Sequence, residues 1–325
     1  MTTSEGQLFD LGYQRYEGPR EGRARARKAL FVNGIRTCFG LGRGAMAKIL
    51  PILFFGAVMT PAIVFIIIAA TTERLIGVPL DIPGHADYYE IVSLVLLLFS
   101  AVIAPELLCP DRRSGVITLY LVRSLTFSDY VLGRWLAFFV VSLLFIYTGQ
   151  VVLMVGLTMS ATEPLEYLRD NWADVPRFLS AGLVIAIMTT TIPLAAASFT
   201  TRRVYASAFV IGLWLITASA AGILVGGFED TETRTETRNG VTISTSSTTS
   251  DALLGDTEIA PLVALLDIGS APIHISDMIF DKKDNSNAVM RQVARLPMMV
   301  VVLWYIVIVG VPGYLLWNRY RRLLA

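Results

Sequence analysis

Charge is scarce in this sequence. Of its 325 residues, 16% are Asp, Glu, Lys or Arg, against about a quarter in a soluble domain, and 54% are hydrophobic. That balance points away from a soluble domain and toward a membrane protein. A net charge of +1 gives no overall field to favour nucleic acid. Cysteine is nearly absent: Cys38 and Cys109 cannot build a disulfide framework, and no CxxC or Cys/His cluster suggests zinc. The phosphate loop GxxxxGK(S/T) is missing, and the dipeptide Gly-Lys does not occur. The glycines of FGLGRGAMAK (39–48) precede an apolar run instead of following a strand, so they do not make a nucleotide loop. Neither HExxH nor GxSxG is present, and the two histidines, His85 and His274, have no Ser, Cys or metal-ligand partner at a useful spacing. No catalytic or metal-binding residue is therefore expected in this chain.

What is present is long apolar runs. Spanning a ~30 Å hydrocarbon core takes about 20 residues of helix. Runs of that length fall at Ile49–Ala70, Tyr89–Leu108, Val131–Leu157, Phe178–Ser198, Val204–Gly227 and Leu296–Leu316. The first lies behind a basic stretch and is too long for a signal-peptide core, so it reads as a retained span. Six spans, over 49–325, put both termini on one side of the bilayer.

Charge sorting says which side. The segment to Lys48 carries nine Lys/Arg; Arg112, Arg113, Arg123 and Arg134 follow, then Arg202 and Arg203, then Arg319, Arg321 and Arg322. These 18 of the 27 basic residues share one side with only 7 of the 26 acidic ones. The Lys/Arg bias sets orientation, so both termini are expected in the cytoplasm.

Residues 1–20 read as a polar cytoplasmic lead-in. Over 21–48, Phe31, Ile35, Cys38 and Phe39 share a helical face, with Arg25, Arg36 and Arg43 more than a quarter turn away. That is the pattern of an amphipathic elbow helix lying in the membrane interface. Gly34, Gly40, Gly42 and Gly44 weaken it by about 1 kcal/mol each against Ala, and a basic solvated segment would show the same charges.

The other side carries Thr71–Tyr88, Thr158–Arg177 and the long loop 228–295. Within the last, Asn239-Gly240 is flanked by alternating residues, the strongest short hairpin signal. An extracellular hairpin pairing Thr231–Arg238 with Val241–Thr248 is expected; a Thr/Ser-rich linker is the alternative. The apolar stretch after it is broken by Pro261, Gly269 and Pro272. It is too broken to span, and should re-enter or lie on the outer leaflet, capping the bundle.

Ionisable residues inside spans usually mark ion or proton paths. Here Glu90 and Glu106 sit only at span ends, and a structural ion pair with Arg112 and Arg113 is the expectation for Glu106. Polar uncharged residues do occur within spans, including Tyr147, Gln150, Thr190 and Ser207. They would either hydrogen-bond between helices or line a transport path. Pro61 and Pro193 should kink their helices.

The remaining feature is PDRRSGVITLYLVRSLTFSDYVLGRW (110–135), a charged amphipathic insert on the cytoplasmic side. On a helix, Val116, Leu119, Tyr120 and Arg123 share a face. An exposed apolar face needs a covering surface, on a partner or on the protein's own spans.

The run 104–137 resembles the ABC-2 type permeases, membrane subunits of type V ABC exporters. The resemblance is carried by Glu106, Asp111, Arg112, Arg113 and Gly115, then Leu119, Leu121 and Arg123, then Tyr130, Gly133 and Arg134. The opening FDLGYQRYEGPREGR with FGLGRGAMAKILP is similar to one bacterial branch of that family. Ser124 departs from the Pro that often follows the Arg, which leaves the turn less rigid. The resemblance implies an all-α integral membrane protein: six transmembrane helices, an elbow helix, cytoplasmic termini and an elaborated last outer loop. It implies a bacterial cell-membrane exporter of two permease subunits, as homo- or heterodimer, with two separate ABC ATPase subunits holding ATP and magnesium. ATPase coupling would run through Glu106, Asp111, Arg112, Arg113, Gly115, Val116, Leu119, Tyr120 and Arg123, and the cargo would be amphipathic. A membrane anchor or sensor recruiting a regulator through 110–125 would present the same exposed face.

Overall fold

The computed structural model describes residues 22–75, 83–117, 125–227, 229–238, 241–250, 252–255, 257–282 and 287–323. Among the described residues, six helices are long and apolar enough to cross a membrane. They are α2 (Ala45–Leu75), α3 (His85–Arg113), α4 (Phe127–Ser160), α6 (Asp174–Ala197), α7 (Arg203–Ala221) and α11 (Met298–Leu323). Their apolar runs coincide with those in the sequence. The helices extend beyond the runs because polar first and last turns still complete the backbone hydrogen bonds that lipid cannot supply. The shorter helices are α1 (Gly22–Cys38), α5 (Pro164–Asp170), α8 (Ala260–Ala264), α9 (Ala271–Phe280) and α10 (Ala288–Val293). A π-helical turn, Gly222–Gly226, continues α7. α2 runs through Pro51 and Pro61, and α6 through Pro193, as unbroken helical segments.

α3 and α6 form the centre. Their apolar windows are 67% and 72% buried, against 22% for α7 and α11. Aromatic rings fill the junction of α3 with α4, where Phe99 and Phe145 lie 4.8 Å apart. Two small residues let helices close in. A Cβ on Gly34 of α1 would stand 2.6 Å from the Ala137 Cβ of α4, and one on Gly149 of α4 would strike the Tyr88 hydroxyl of α3.

The basic stretch 21–48 is not one helix. α1 ends at Cys38, and Gly40 follows at a φ of +64°. A side chain there would be both left-handed and 2.1 Å from the Ala47 carbonyl oxygen, so the chain turns and α2 begins at Ala45. Arg43 therefore lies in the turn, off the helical face expected for it. α1 buries Leu30, Gly34 and Cys38; Cys38 belongs to the expected face, and Ile35 and Phe39 of that face are half-buried against the core.

The stretch after the strands enters the bundle. α9 buries Ala271 through Asp277. Its preceding turn brings Gly269 beside Leu97 of α3 and Trp214 of α7. Its end returns Lys282 to Asp87 of α3 at 2.7 Å and Glu90 at 3.1 Å. Asp87 and Leu97 are ten residues apart, or about 15 Å along a helix, so the segment dips deep between α3, α6 and α11. The buried Asp267 closes the dip by accepting hydrogen bonds from the Ser270 amide at 3.3 Å and its hydroxyl at 2.6 Å. Glu229–Arg238 and Val241–Ser250 pair antiparallel, with Arg238 opposite Val241.

Candidate coupling site

The insert that interrupts the second and third spans is anchored at both ends. On its upstream side α3 continues as a regular helix to Arg113, so Asp111, Arg112 and Arg113 are the last turn of a spanning helix and not the start of a separate one. Ser114 caps that turn, its amide donating to the Pro110 carbonyl at 2.9 Å. Gly115 then takes a φ of +68°, a left-handed step that costs Gly least. Val116 is half-buried and Ile117 is buried in the bundle's own core. Leu119, Leu121, Tyr120 and Arg123 lie outside the described residues.

Downstream, Thr126 begins α4 with a capping box. Its hydroxyl accepts from the Asp129 amide, and the Asp129 carboxylate accepts from the Thr126 amide at 3.1 Å. Such reciprocal bonds satisfy two otherwise orphaned donors. The same carboxylate holds α1: Arg23 Nε donates to it at 2.8 Å and Arg27 lies at 3.3 Å.

Three further ties make one platform of these helix ends. Asp111 accepts from Arg134 of α4 at 2.6 Å and from the Tyr130 hydroxyl at 2.9 Å. Arg112 reaches the turn between α6 and α7, donating to the carbonyls of Ser198 and, at 3.2 Å, Thr200. Glu106 accepts from Arg43 in the α1–α2 turn and from Arg203 at the start of α7. The Glu106 ion pair thus exists, but with partners 63 and 97 residues away in place of Arg112 and Arg113. Glu106 lies nearly two turns before Arg112 and Arg113 on the same helix, about 9–10 Å away along its axis, and Arg112 reaches to the α6–α7 turn instead. α11 closes the set, with the Tyr320 ring 5.4 Å from that of Tyr130.

Residues 19–321 match the family model described as ABC-2 family transporter protein. The chain belongs to that family. It is a multi-pass permease subunit of an ABC transporter, and its family implies an ABC ATPase as partner. No curated protein matches it.

Within this permease, Glu106, Asp111 and Arg112 meet at one end of the bundle, Arg113 and Gly115 lie beside them, and Val116 opens the insert. The four polar residues suggested for a transport path do not form a comparable group. Tyr147 donates from α4 to the Leu179 carbonyl of α6 at 2.7 Å. Gln150 is fully buried and binds the His85 ring at 2.5 Å and its carbonyl at 3.2 Å. Both are interhelical bonds. Thr190 is buried in α6 and Ser207 is half-buried in α7.

The anchoring residues Arg23, Arg27, Arg43, Thr126, Asp129 and Arg203 were not singled out as site residues from sequence. One signal was available: Thr126-x-x-Asp129 directly precedes an apolar run, a capping-box pattern. The arginines gave none, since positive-inside sorting accounts for each of them equally well.

Proposed function

We propose that this chain is the membrane-spanning half of an ATP-driven exporter, in which residues 110–126 receive movement from a separate ABC ATPase and pass it to α3 and α4. The supporting observation is that both ends of this segment are built into helix ends that the Asp111–Arg134 pair joins. A push on the segment would act on two spanning helices together, and α3 sits at the bundle's centre. Leu119 and Tyr120 would supply the apolar face that docks on the ATPase, while ATP and magnesium would be held by that partner.

In this reading two permease subunits assemble with two ATPases in a bacterial cell membrane. Both termini are cytoplasmic, as the Lys/Arg sorting favours. α1 acts as the elbow helix at the inner surface, and the paired strands 229–250 project on the outside. The cargo, on the resemblance to exporters of this family, is amphipathic.

Co-expression with the cognate ATPase tests this. The expected result is a complex with two copies of each chain, whose ATP turnover exceeds that of the isolated ATPase. A permease that purifies alone contradicts it. A complex with unchanged ATP turnover would favour the recruiting-anchor reading instead.

A further inference from the structure

The basic end of the bundle holds a second feature, which shares Arg113 with the candidate coupling residues. A cleft of about 1120 Å³ lies between the end of α3 and the α6–α7 turn, lined by Cys109, Pro110, Arg113, Thr201, Arg202 and Tyr205 among others. Its walls are fixed relative to one another. Beside the cleft Arg112, at the end of α3, bonds the carbonyls of Ser198 and Thr200 in the α6–α7 turn, and the Cys109 thiol points at the Thr200 carbonyl at 3.6 Å.

The charge in the cleft is of one sign. Among the described residues, no acidic one lines it. Arg203 shares Glu106 with Arg43, while Arg113 and Arg202 are exposed and without an ion pair among the described residues. Arg202 lies 5.7 Å over the Tyr205 ring, which holds its guanidinium at the rim. N-cap Arg202 makes no side-chain cap bond, so the first amides of α7 add a weaker preference for an anion.

An apolar track leads out of the cleft. Phe209 and Ile216, four and eleven residues beyond Tyr205 and on the same face of α7, are 60% and 70% exposed, and α7 is a spanning helix whose exposed surface faces the bilayer or a second subunit. Tyr205, exposed at the first turn, is the kind of residue that marks a membrane–water boundary. A ligand matching the whole feature is an anion with a hydrocarbon tail. We propose that the cleft binds the headgroup of an anionic phospholipid, with the phosphate between Arg113 and Arg202 and the acyl chains along α7. Basic pockets between spanning helices recognise lipid headgroups in this way. A free phosphate would leave the track unused, and an acidic peptide would have no need of it.

Titration of the full-length permease in detergent, read by native mass spectrometry, tests this without any ATPase. The probes are dioleoyl phosphatidylglycerol and dioleoyl phosphatidylcholine. At the usual worth of two surface arginines, the first phosphatidylglycerol should bind roughly 30-fold more tightly than phosphatidylcholine. The Arg113→Gln, Arg202→Gln variant should lose that preference, while Arg321→Gln, Arg322→Gln keeps it. If the double variant does not fold, Arg202→Gln alone should lose about fivefold. Equal binding of the two lipids, or a preference that survives at Arg113 and Arg202, overturns the proposal. So does glycerol phosphate binding as tightly as the lipid, which would mean a soluble-anion site. A variant that changes subunit stoichiometry and leaves lipid preference intact would make the face a protein interface and overturn it likewise.

Discussion

Arg134 of α4 donates to Asp111 of α3 at 2.6 Å, with only 3% of the arginine side chain exposed. The pair ties the two helices at the point where the coupling segment leaves one and enters the other. A charge this buried is tolerated because its partner is fixed: Tyr130 also donates to the same carboxylate oxygen.

Removing one member should therefore cost more than the pair contributes. Asp111→Asn is expected to destabilise by about 3–5 kcal/mol, the usual cost of leaving a buried charge without its counter-ion. Asp111→Asn with Arg134→Met should recover much of that loss. Thermal unfolding of the four proteins of this cycle in detergent measures both. A double variant as unstable as the sum of the single ones would show that the two residues act separately.

Glu106 should behave differently. Its partners Arg43 and Arg203 are 35% and 49% exposed, so solvent screens both ion pairs. Glu106→Gln is expected to lower stability by less than about 1 kcal/mol, and the difference from wild type should shrink in 1 M salt, where the Debye length is about 3 Å. Melting curves at low and high salt give the comparison.

Much of this was legible in the sequence, for identifiable reasons. The six spans follow from run length, because apolar segments of about 20 residues have few other uses. The stretch around Pro261, Gly269 and Pro272 was readable as too broken to span. That it dips as far as Leu97 was not, since the depth is set by the contacts of Gly269 with Leu97 and Trp214 and of Lys282 with Asp87 and Glu90, which no local pattern encodes. The expected face of α1 is found in part: Cys38 is buried, and Ile35 and Phe39 pack against the core. The close approach at Gly34, which has no side chain to keep Ala137 away, was not legible because a helical wheel gives glycine no weight. Glu106 was assigned its nearest arginines in sequence, although its real partners come from two distant turns.

The Gly34 contact is testable in itself. Gly34→Leu places bulk where a single Cβ would already lie 2.6 Å from Ala137. α1 should lift from α4, weakening the Arg23 and Arg27 ties to Asp129. Faster protease cleavage within residues 22–38 is the expected readout, and Gly34→Ala should show a smaller change of the same sign. Unchanged cleavage in Gly34→Leu would mean that α1 is held by its arginines alone.

Lys282 ties the inserted segment to α3. Burial lowers its pKa, and hydrogen bonds and charge from Asp87 and Glu90 more than offset this and raise it above 10.5. A raised pKa contributes stability that is present below the ordinary lysine value and is lost as pH rises through the folded-state value. Lys282→Met should thus speed amide exchange across Ala271–Phe280. Its deficit relative to wild type should stay constant from about pH 6 to 9 and close only above about pH 10.5. The carboxylates are 38% exposed, so the deficit should be modest.

The central claim is that residues 110–126 carry the ATPase's movement into α3 and α4. The most direct measurement is ATP turnover by the cognate ATPase reconstituted with Leu119→Asp, Tyr120→Asp permease in lipid vesicles. The account predicts that stimulation of turnover by the permease is lost while the variant's melting temperature stays at the wild-type value. Full stimulation by this variant would contradict it.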